Sequence, residues 1–227
     1  MYDIVFISYN EPNADKNFAD LKSRFQIAKR IHGVKGIHQA HKAAANLALT
    51  NMFWIIDGDA RVLPDFNFDF IPDKWNKETV HVWRSQNPIN NLVYGYGGVK
   101  LFPRNLAKNM DTDTVDMTTS ISKNFKLMEE ISNITEFNTD PFNTWKSAFR
   151  ECVKLSSKII KNQENSETLE RLDVWCNVGK DTQFGEYSIL GAQQGKEFGF
   201  SYQDDLEKLK LVNNFDWLYE QFSKNTI

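Results

Sequence analysis

Two aspartates, one residue apart, follow one of the most apolar short runs of the sequence. The segment FWIIDGDARVLPDF, residues 53–66, places Asp57-Gly58-Asp59 directly after four apolar side chains. Carboxylates at the end of a buried strand suit a hard divalent cation such as Mg²⁺ or Mn²⁺, which prefers oxygen ligands and bridges them to phosphates. The alternative is an acidic turn without a ligand, because Asp and Gly both favour turns.

The elements that must position these carboxylates alternate along the first 60 residues. Apolar runs predict strands at 2–7, 25–31 and 53–56, and helices are predicted at 13–24 and 37–50. This alternation is typical of an α/β fold with a parallel sheet, where ligands bind at the carboxyl ends of strands. Ser8, Tyr9 and Asn10 end the first strand as Asp57 ends the third, so we expect one shared rim.

The remainder of the chain predicts further strands and then a helical part. A strand is expected at 79–85, and two strand pieces joined by a turn at Gly97-Gly98 are expected within 91–104. Residues 105–137 are interpreted as polar and partly helical. Asp140-Pro141 predicts a helix start with an Asp cap, and a final amphipathic helix is predicted at 203–223. We expect a single domain, 1–227, with a donor-binding half at about 1–104 and an acceptor half at about 105–227.

The composition limits the possible partners and compartments. The formal net charge of −3 gives no general preference for nucleic acid, although a local basic face would not show in this total. Two cysteines without zinc spacing argue against a disulfide framework. No apolar run reaches the length of a membrane helix, and the first residues lack the pattern of a signal peptide. We therefore expect a cytoplasmic protein without a membrane partner.

Three segments in succession carry a family resemblance. The order YDIVFISYNE, VKGIHQAHKAAANLAL and FWIIDGDARVLPDF resembles nucleotide-sugar glycosyltransferases of the GT-A fold, best over residues 2–66 and more weakly to residue 104. The resemblance implies an α/β fold: a GT-A-like, Rossmann-type mixed sheet flanked by helices, with a helical C-terminal part. It also implies a donor such as a UDP-sugar and an Mn²⁺ or Mg²⁺ ion.

The resemblance implies a role for each matching residue. Asp59 corresponds to the metal ligand, and Asp57 to a residue that contacts ribose or metal. The turn after the first strand corresponds to the nucleoside site, with the expected contacts Ser8, Tyr9, Asn10, Arg30 and Lys35. His38 and His41 lie near the start of a helix, where phosphates bind, but helix-surface histidines need no ligand, and a surface role without one is favoured. Gly97 and Gly98 either let the backbone approach a sugar or only form a turn.

Two side chains are candidates for acting on the acceptor. Glu151 lies at the edge of the buried face of the helix after Asp140 and could serve as a general base; a salt bridge with Arg150 or Lys154 is the alternative. Arg84 follows an aromatic strand and could reach the acceptor or the diphosphate, or form a structural ion pair. Asp140 is also an acid in this region, but its place predicts a helix cap.

The sequence departs from the GT-A pattern at the third metal ligand. Many of these enzymes supply a His from the C-terminal part, whereas the four His here are His32, His38, His41 and His81. A carboxylate such as Asp181, or the diphosphate and water, would have to complete the shell.

The segments KGIHQAH, NPINNLVYGYGGVKLFPR and TWKSAFRECVKL also resemble proteins of large tailed phages, among them arabinosyltransferases that modify 5-hydroxymethylcytosine. This implies duplex DNA with a modified cytosine as acceptor, and the host cytoplasm as the location. A cell-surface glycan or a lipid-linked sugar is the alternative acceptor, and a non-catalytic nucleotide-sugar-binding module is the alternative function.

Overall fold

The computed structural model describes residues 1–159 and 165–225, which form two compact units. The first unit comprises residues 1–87, 93–113 and 117–136, and the second comprises 88–92, 114–116 and the described residues from 137 onwards. The first unit carries the sheet and the second is helical. The mixed α/β sheet with flanking helices and a helical C-terminal part agrees with the fold class predicted from the sequence, while the single-domain assignment stays a prediction.

One mixed sheet organises the first unit. Its strands are β1 (Asp3–Ser8), β2 (Lys29–His32), β3 (Met52–Asp57), β4 (Ala60–Val62), β5 (Val80–Gln86), β6 (Val93–Tyr94), β7 (Val99–Pro103) and β8 (Phe125–Thr135). They follow the order β2-β1-β3-β7-β5-β8-β4, with β6 paired to β5. β1 pairs in parallel with β2 and β3, and β5 pairs in parallel with β8. β7 is antiparallel to β3 and β5, and β4 is antiparallel to β8.

Helices cover both faces of this sheet, which explains why β1 and β3 are apolar between their terminal residues. The helices are α1 (Ala14–Arg24), α2 (Ile37–Leu47), α3 (Arg104–Lys108) and α4 (Met117–Ile121). Because side chains alternate along a strand, Phe6 and Trp54 pack in one core cluster with Leu21 of α1. The alternate residues, including Ile55, pack in the other cluster with Ala44 of α2. Strands β1 and β3 are therefore packed on both faces, each face against its own hydrophobic cluster.

Two sequence expectations differ from the observed elements in this unit. The strand expected at 25–31 begins only at Lys29, because α1 ends in a turn in which Phe25 N–H bonds Leu21 O and Ala28 N–H bonds Phe25 O. The segment 105–137, interpreted as polar and partly helical, contains the eleven-residue strand β8. The first seven residues of β8 are largely exposed, so its sequence lacks the apolar alternation of a half-buried strand.

The second unit is built from helices. Its elements are α5 (Pro141–Ser156), α6 (Asn165–Asn177), α7 (Gly185–Ser201), α8 (Leu206–Lys210), a 3₁₀ turn (Leu211–Asn213) and α9 (Phe215–Asn225). Asp140 caps α5 as predicted, with its Oδ1 accepting the Asn143 N–H at 2.8 Å. The single helix expected at 203–223 is instead divided, since Asp205 caps α8 and Asn214 separates the 3₁₀ turn from α9. None of the helices in the described ranges has the length and apolar character needed to cross a membrane.

Glycines let α7 approach α5 at backbone distance. Gly191, Gly195 and Gly199 recur every fourth residue and therefore share one face of α7. A Cβ added to Gly191 or Gly195 would collide with a backbone carbonyl of α5, that of Trp145 or Phe149 respectively. The close packing of α5 and α7 thus depends on glycine at these positions as well as on apolar side chains.

Both cysteines lie in the core of the helical unit. Cys152 on α5 and Cys176 on α6 are 0 % and 5 % exposed and are free thiols. Burial raises the pKa of both thiols, that of Cys152 well above its ordinary value. This agrees with the sequence expectation that the cysteines form no disulfide framework.

We predict that Gly195→Ala destabilises the protein although alanine is the better helix former. Intrinsic propensity favours alanine by about 1 kcal/mol, but the clash with Phe149 O should cost more, for a net loss of about 1–3 kcal/mol. Urea unfolding followed by circular dichroism measures this loss. Glu197→Ala, on the exposed side of the same helix, is the matched control and should stay within about 0.5 kcal/mol. Equal or increased stability of Gly195→Ala would contradict the close approach.

Candidate functional site

The register of the first sheet strands places their polar ends side by side. Ser8 is paired with His32 on β2, and Ile7 is paired with Asp57 on β3. The carboxyl ends of β2, β1 and β3 therefore form one edge, called here the rim. This adjacency is the one predicted from the alternation of strands and helices.

An orientation-specific hydrogen-bond network occupies the β1–β2 side of the rim. Arg30 Nε donates to Ser8 Oγ at 2.8 Å, and Ser8 Oγ lies 3.0 Å from His32 Nδ1. A guanidinium only donates, so Ser8 Oγ accepts from Arg30, and the Arg30 Nη2 that lies 3.4 Å from His32 Nδ1 favours Nδ1 as an acceptor. A ring that accepts at Nδ1 carries its proton on Nε2, so the exposed His32 can offer a donor at the rim.

Arg30 is held from two further directions. Its Nη1 donates to Asp15 Oδ1 at 2.7 Å, and its guanidinium carbon lies 5.8 Å and 5.4 Å from the ring centroids of Phe6 and Phe18. Arg30 was a candidate from the sequence, whereas His32 was weighed there only as a metal ligand. The signal that would have found His32 is its place at the end of the second predicted strand.

The turn after β1 lies against the turn after β3. Glu11 Oε2 accepts the Tyr9 N–H at 2.7 Å, and a Cβ built on Gly58 would lie 2.6 Å from that same Oε2. A side chain at position 58 would therefore require the Glu11 carboxylate to move, and Ser8 Cβ lies only 3.1 Å from the same point. Tyr9 is half-buried and Asn10 is exposed. Glu11 thus adds to the rim a carboxylate that sequence reasoning missed.

Asp57, which is partly exposed, forms an ion pair with the buried Lys100 at the rim. Its Oδ2 accepts from Lys100 Nζ at 2.7 Å and from the Gly98 N–H at 3.0 Å. Burial on its own raises the pKa of Asp57, but Lys100 and the Gly98 hydrogen bond outweigh it and hold the pKa below its usual value. The carboxylate is therefore charged at neutral pH. Sequence reasoning missed Lys100, which is 43 residues away along the chain.

The predicted turn at Gly97 and Gly98 is fixed from both sides. Both glycines have positive φ, +154° and +87°, and Asp57 N–H donates to Gly98 O at 2.9 Å. On the other side Ser85 Oγ donates to Gly97 O at 2.7 Å, and a Cβ on Gly98 would collide with the Asn133 side chain. The loop is thereby locked at the amino end of β7, which points to the same rim.

The amino terminus of α2 has the features of an anion site. Its N-cap is Gly36, which supplies no side-chain cap, and the first turn contains no acid. Lys35 precedes it as an exposed cation, and His38 is half-buried in its first turn. Because the first N–H groups of a helix lack helical partners, such an end attracts phosphate.

His41 of α2 is a buried neutral imidazole. Its Nδ1 donates to Ile37 O at 2.8 Å, and its side chain is fully buried. Burial lowers its pKa from 6.5 to about 4. Of the two histidines considered for the helix start, His41 therefore belongs to the core.

The two candidates for acceptor chemistry lie in different units. Arg84 is half-buried on β5 at an irregularity in the β5–β8 pairing. Glu151 is 8 % exposed on α5 of the helical unit. The cations considered as its partners have other contacts: Arg150 Nε donates to Val212 O at 2.8 Å, and Lys154 Nζ lies 3.7 Å from an Asp116 oxygen. The roles of Arg84 and Glu151 stay predictions.

The contacts of Asp57 do not fit a metal held by both carboxylates of the Asp57-Gly58-Asp59 turn. Lys100 and Gly98 use both lone pairs of Oδ2, and Oδ1 is buried, with no hydrogen-bond partner among the described residues. Within the same ranges no group of three His, Cys, Asp or Glu side chains could hold a metal ion. Asp59 lies half-buried in the turn, and its assignment as a ligand of Mn²⁺ or Mg²⁺ stays a prediction.

Comparison with known proteins gives only a distant structural likeness. No protein-family model and no curated protein matches the chain, whereas twelve chains of solved structures do. One is the mannosyltransferase PcManGT from Pyrobaculum calidifontis in complex with GDP-Man and Mn²⁺. It is 9 % identical with a TM-score of 0.44, and the match covers 95 % of this chain and 88 % of that one. A likeness this remote assigns no family, activity or ligand.

We predict that His41 makes the folded state acid-sensitive between about pH 6.5 and 4. The unfolded state takes up a proton near pH 6.5, while folded His41 resists protonation until about pH 4. Stability from this residue is therefore present above pH 6.5 and lost as the pH falls, by roughly 2 kcal/mol between about pH 7 and pH 4.5. Urea unfolding at both pH values measures the loss.

The control for this prediction is His41→Leu, which should remove about that much of the pH dependence. Burial also lowers the pKa of His81, so a smaller dependence should remain in the variant. Asp3, whose pKa is lowered to about 2, contributes only below this range. An unchanged pH dependence in His41→Leu would show that His41 does not have this role.

Proposed function

We propose that this chain is a glycosyltransferase that takes a sugar from a nucleotide sugar, with a UDP-sugar as the expected donor. The observation that carries the proposal is the rim. Three adjacent parallel strands end there in Ser8, His32 and Asp57, which is where open α/β sheets bind nucleotides. The order of three parallel strands followed by antiparallel β7 also agrees with the GT-A resemblance of the sequence.

The polar groups of the rim suggest how a donor would lie. Ser8, Tyr9, Asn10 and Arg30 would receive the nucleoside, and the Nε2 proton of His32 would add a donor for a carbonyl or hydroxyl group. The diphosphate would lie toward the amino terminus of α2, where backbone N–H groups and Lys35 oppose its charge. His38 in the first turn of α2 is a further expected contact.

The Gly97–Gly98 loop would pass along the sugar, because glycine backbone permits close approach. Its fixed conformation supports the proposal, since a preformed wall holds the reacting carbon in place without a further entropy cost.

The reaction itself needs little covalent chemistry from the protein. A nucleotide sugar already carries a good leaving group, so the chain must stabilise the departing diphosphate and position the acceptor hydroxyl. Arg84 is the proposed contact for acceptor or diphosphate, and Glu151 is the proposed base for an inverting reaction. Asp59 is the proposed contact for Mn²⁺ or Mg²⁺.

The proposal also includes an acceptor substrate. The phage-like segments of the sequence favour 5-hydroxymethylcytosine in duplex DNA, with arabinose or a hexose transferred. A cell-surface glycan or lipid-linked sugar is the alternative within the same reaction class. A module that binds a nucleotide sugar without reacting is the alternative outside it.

We expect the purified protein to release nucleoside diphosphate from at least one nucleotide sugar. The assay takes a panel of UDP- and GDP-sugars, with Mn²⁺, Mg²⁺ or EDTA, and adds duplex DNA with or without 5-hydroxymethylcytosine. Release that requires the modified DNA, with a matching mass gain of the DNA, supports the full proposal. Release of nucleoside diphosphate that does not depend on DNA would support the glycosyltransferase activity but exclude DNA as the acceptor. Binding without release identifies the non-catalytic module.

We further expect Arg30→Met to weaken UDP binding about tenfold. The substitution removes the guanidinium charge and also the hydrogen bonds by which Arg30 orients Ser8 and His32. Isothermal titration calorimetry measures the dissociation constant, and circular dichroism confirms folding. Arg171→Met is the matched control, since Arg171 pairs with Glu167 on the surface of α6. Equal UDP affinity in Arg30→Met and the wild type would contradict the nucleoside site at Ser8 and Arg30.

A further inference from the structure

One oxygen of the Asp57 carboxylate accepts two hydrogen bonds within the protein, and the other oxygen is enclosed. Lys100 Nζ and the Gly98 N–H both bond Oδ2, at 2.7 Å and 3.0 Å. Oδ1 is buried and has no hydrogen-bond partner in the part of the chain that the structure describes. A metal ion could bind this carboxylate only if a donor left Oδ2 or if the side chain moved so that the enclosed Oδ1 became accessible.

Lys100 has a strong physical need for this carboxylate. Its side chain is only 7 % exposed, whereas that of Asp57 is 27 % exposed. A buried ammonium without a counter-charge is strongly unfavourable, because desolvation is not repaid. Displacing Lys100 from Asp57 to admit a metal would leave this ammonium buried and unpaired.

The strand register dictates this pairing. Lys100 lies directly opposite Ile55 in the β3–β7 ladder, and Asp57 follows two residues after Ile55. Residues two apart on a strand share a face, so Asp57 and Lys100 necessarily project from the same side of the sheet. The ion pair is therefore a product of the fold and needs no ligand to form.

The Gly98 contact is equally resistant to displacement. Asp57 and Gly98 exchange two hydrogen bonds, because Asp57 N–H donates to Gly98 O at 2.9 Å while Gly98 N–H donates to Oδ2. Behind the loop, Asn133 and Ser85 are fully buried. Asn133 Oδ1 accepts from Ser132 Oγ at 2.8 Å, and Asn133 Nδ2 donates to Thr135 Oγ1 at 3.1 Å. The loop is thus backed by a satisfied polar network.

We infer that Asp57 is the counter-ion of Lys100 and the anchor of the Gly97–Gly98 loop, and that it is not a metal ligand. Any divalent cation at the rim then depends on Asp59, outside this pair. The inference deepens the proposed function, on which its meaning for the donor site rests. Its test uses neither a donor nor turnover, so its failure is distinguishable from failure of the glycosyltransferase proposal.

The test is a double-mutant cycle of Asp57→Asn, Lys100→Met and the combined variant, measured by thermal unfolding in EDTA. Asp57→Asn leaves the buried Lys100 ammonium unpaired and should lower Tm by about 10 °C. Lys100→Met leaves the Asp57 carboxylate unpaired and should lower Tm by less, because this carboxylate is partly exposed. The double variant buries no unpaired charge and should recover at least half of the Asp57→Asn loss. Lys210→Met, which removes an exposed partner of Glu207, is the control and should change Tm by about 1 °C.

The same variants are titrated with Mn²⁺ alone, and the free ion is followed by electron paramagnetic resonance. The double variant should bind Mn²⁺ as the wild type does, within about threefold, whereas Asp59→Asn should weaken any binding that the wild type shows by about tenfold. Wild-type protein that binds no Mn²⁺ is also consistent, because Asp57 then holds none. If Asp57→Asn fails to fold, the double variant, which lacks the same carboxylate, decides.

Three results would overturn the inference. The first is a loss of Mn²⁺ affinity of tenfold or more in Asp57→Asn or in the double variant, which would make Asp57 a ligand. The second is a thermal cycle without recovery, in which the double variant is as unstable as Asp57→Asn. The third is a single variant with unchanged Tm, because a needed counter-ion cannot be removed without loss of stability.

Discussion

A buried ammonium must have a counter-charge, and this constraint governs the candidate site. Lys100 is almost completely enclosed and contacts Asp57, so the last residue of β3 and the second residue of β7 are tied across the sheet. Through Gly98 the same carboxylate fixes the loop that enters β7. The end of β3, the loop and the start of β7 therefore form one electrostatic unit, and the groups along the neighbouring strand ends are placed relative to it.

The sequence was sufficient to predict the part of the fold that is buried on both sides. The continuous apolar runs of β1 and β3 and the Ala-rich α2 were recognisable because central parallel strands and their covering helices leave few polar positions. The shared rim of Ser8 and Asp57 followed from this alternation. The β8 strand could not be predicted in the same way, since its first seven residues are mostly exposed and carry charge and apolar side chains without regular alternation.

The site was predictable only where its residues are close in sequence to a strand end. Asp57 and Ser8 were predicted, but Lys100, the partner of Asp57, was not. Nothing in the local sequence distinguishes Lys100 from other lysines, because its role depends on the β3–β7 register that pairs it with Ile55. Glu11 was missed for a similar reason, since its contact with Gly58 depends on how two turns meet. Contacts of this kind are set by tertiary packing, which a single sequence does not encode in any local pattern. The same limit applies to α7, because glycine is unfavourable in a helix interior, yet Gly191 and Gly195 are what let this helix approach α5.

The placement of the two cysteines gives the protein a built-in reporter. Cys152 and Cys176 are the only cysteines of the chain, and both are sealed in the helical unit with raised pKa values. Since alkylating reagents attack the exposed thiolate, the folded unit protects both sulfurs from modification. The rate of thiol labelling under native conditions therefore measures how often the helical unit opens, separately from the sheet unit, which contains no sulfhydryl group. A mass spectrum taken during labelling would distinguish opening that exposes one thiol from opening that exposes both.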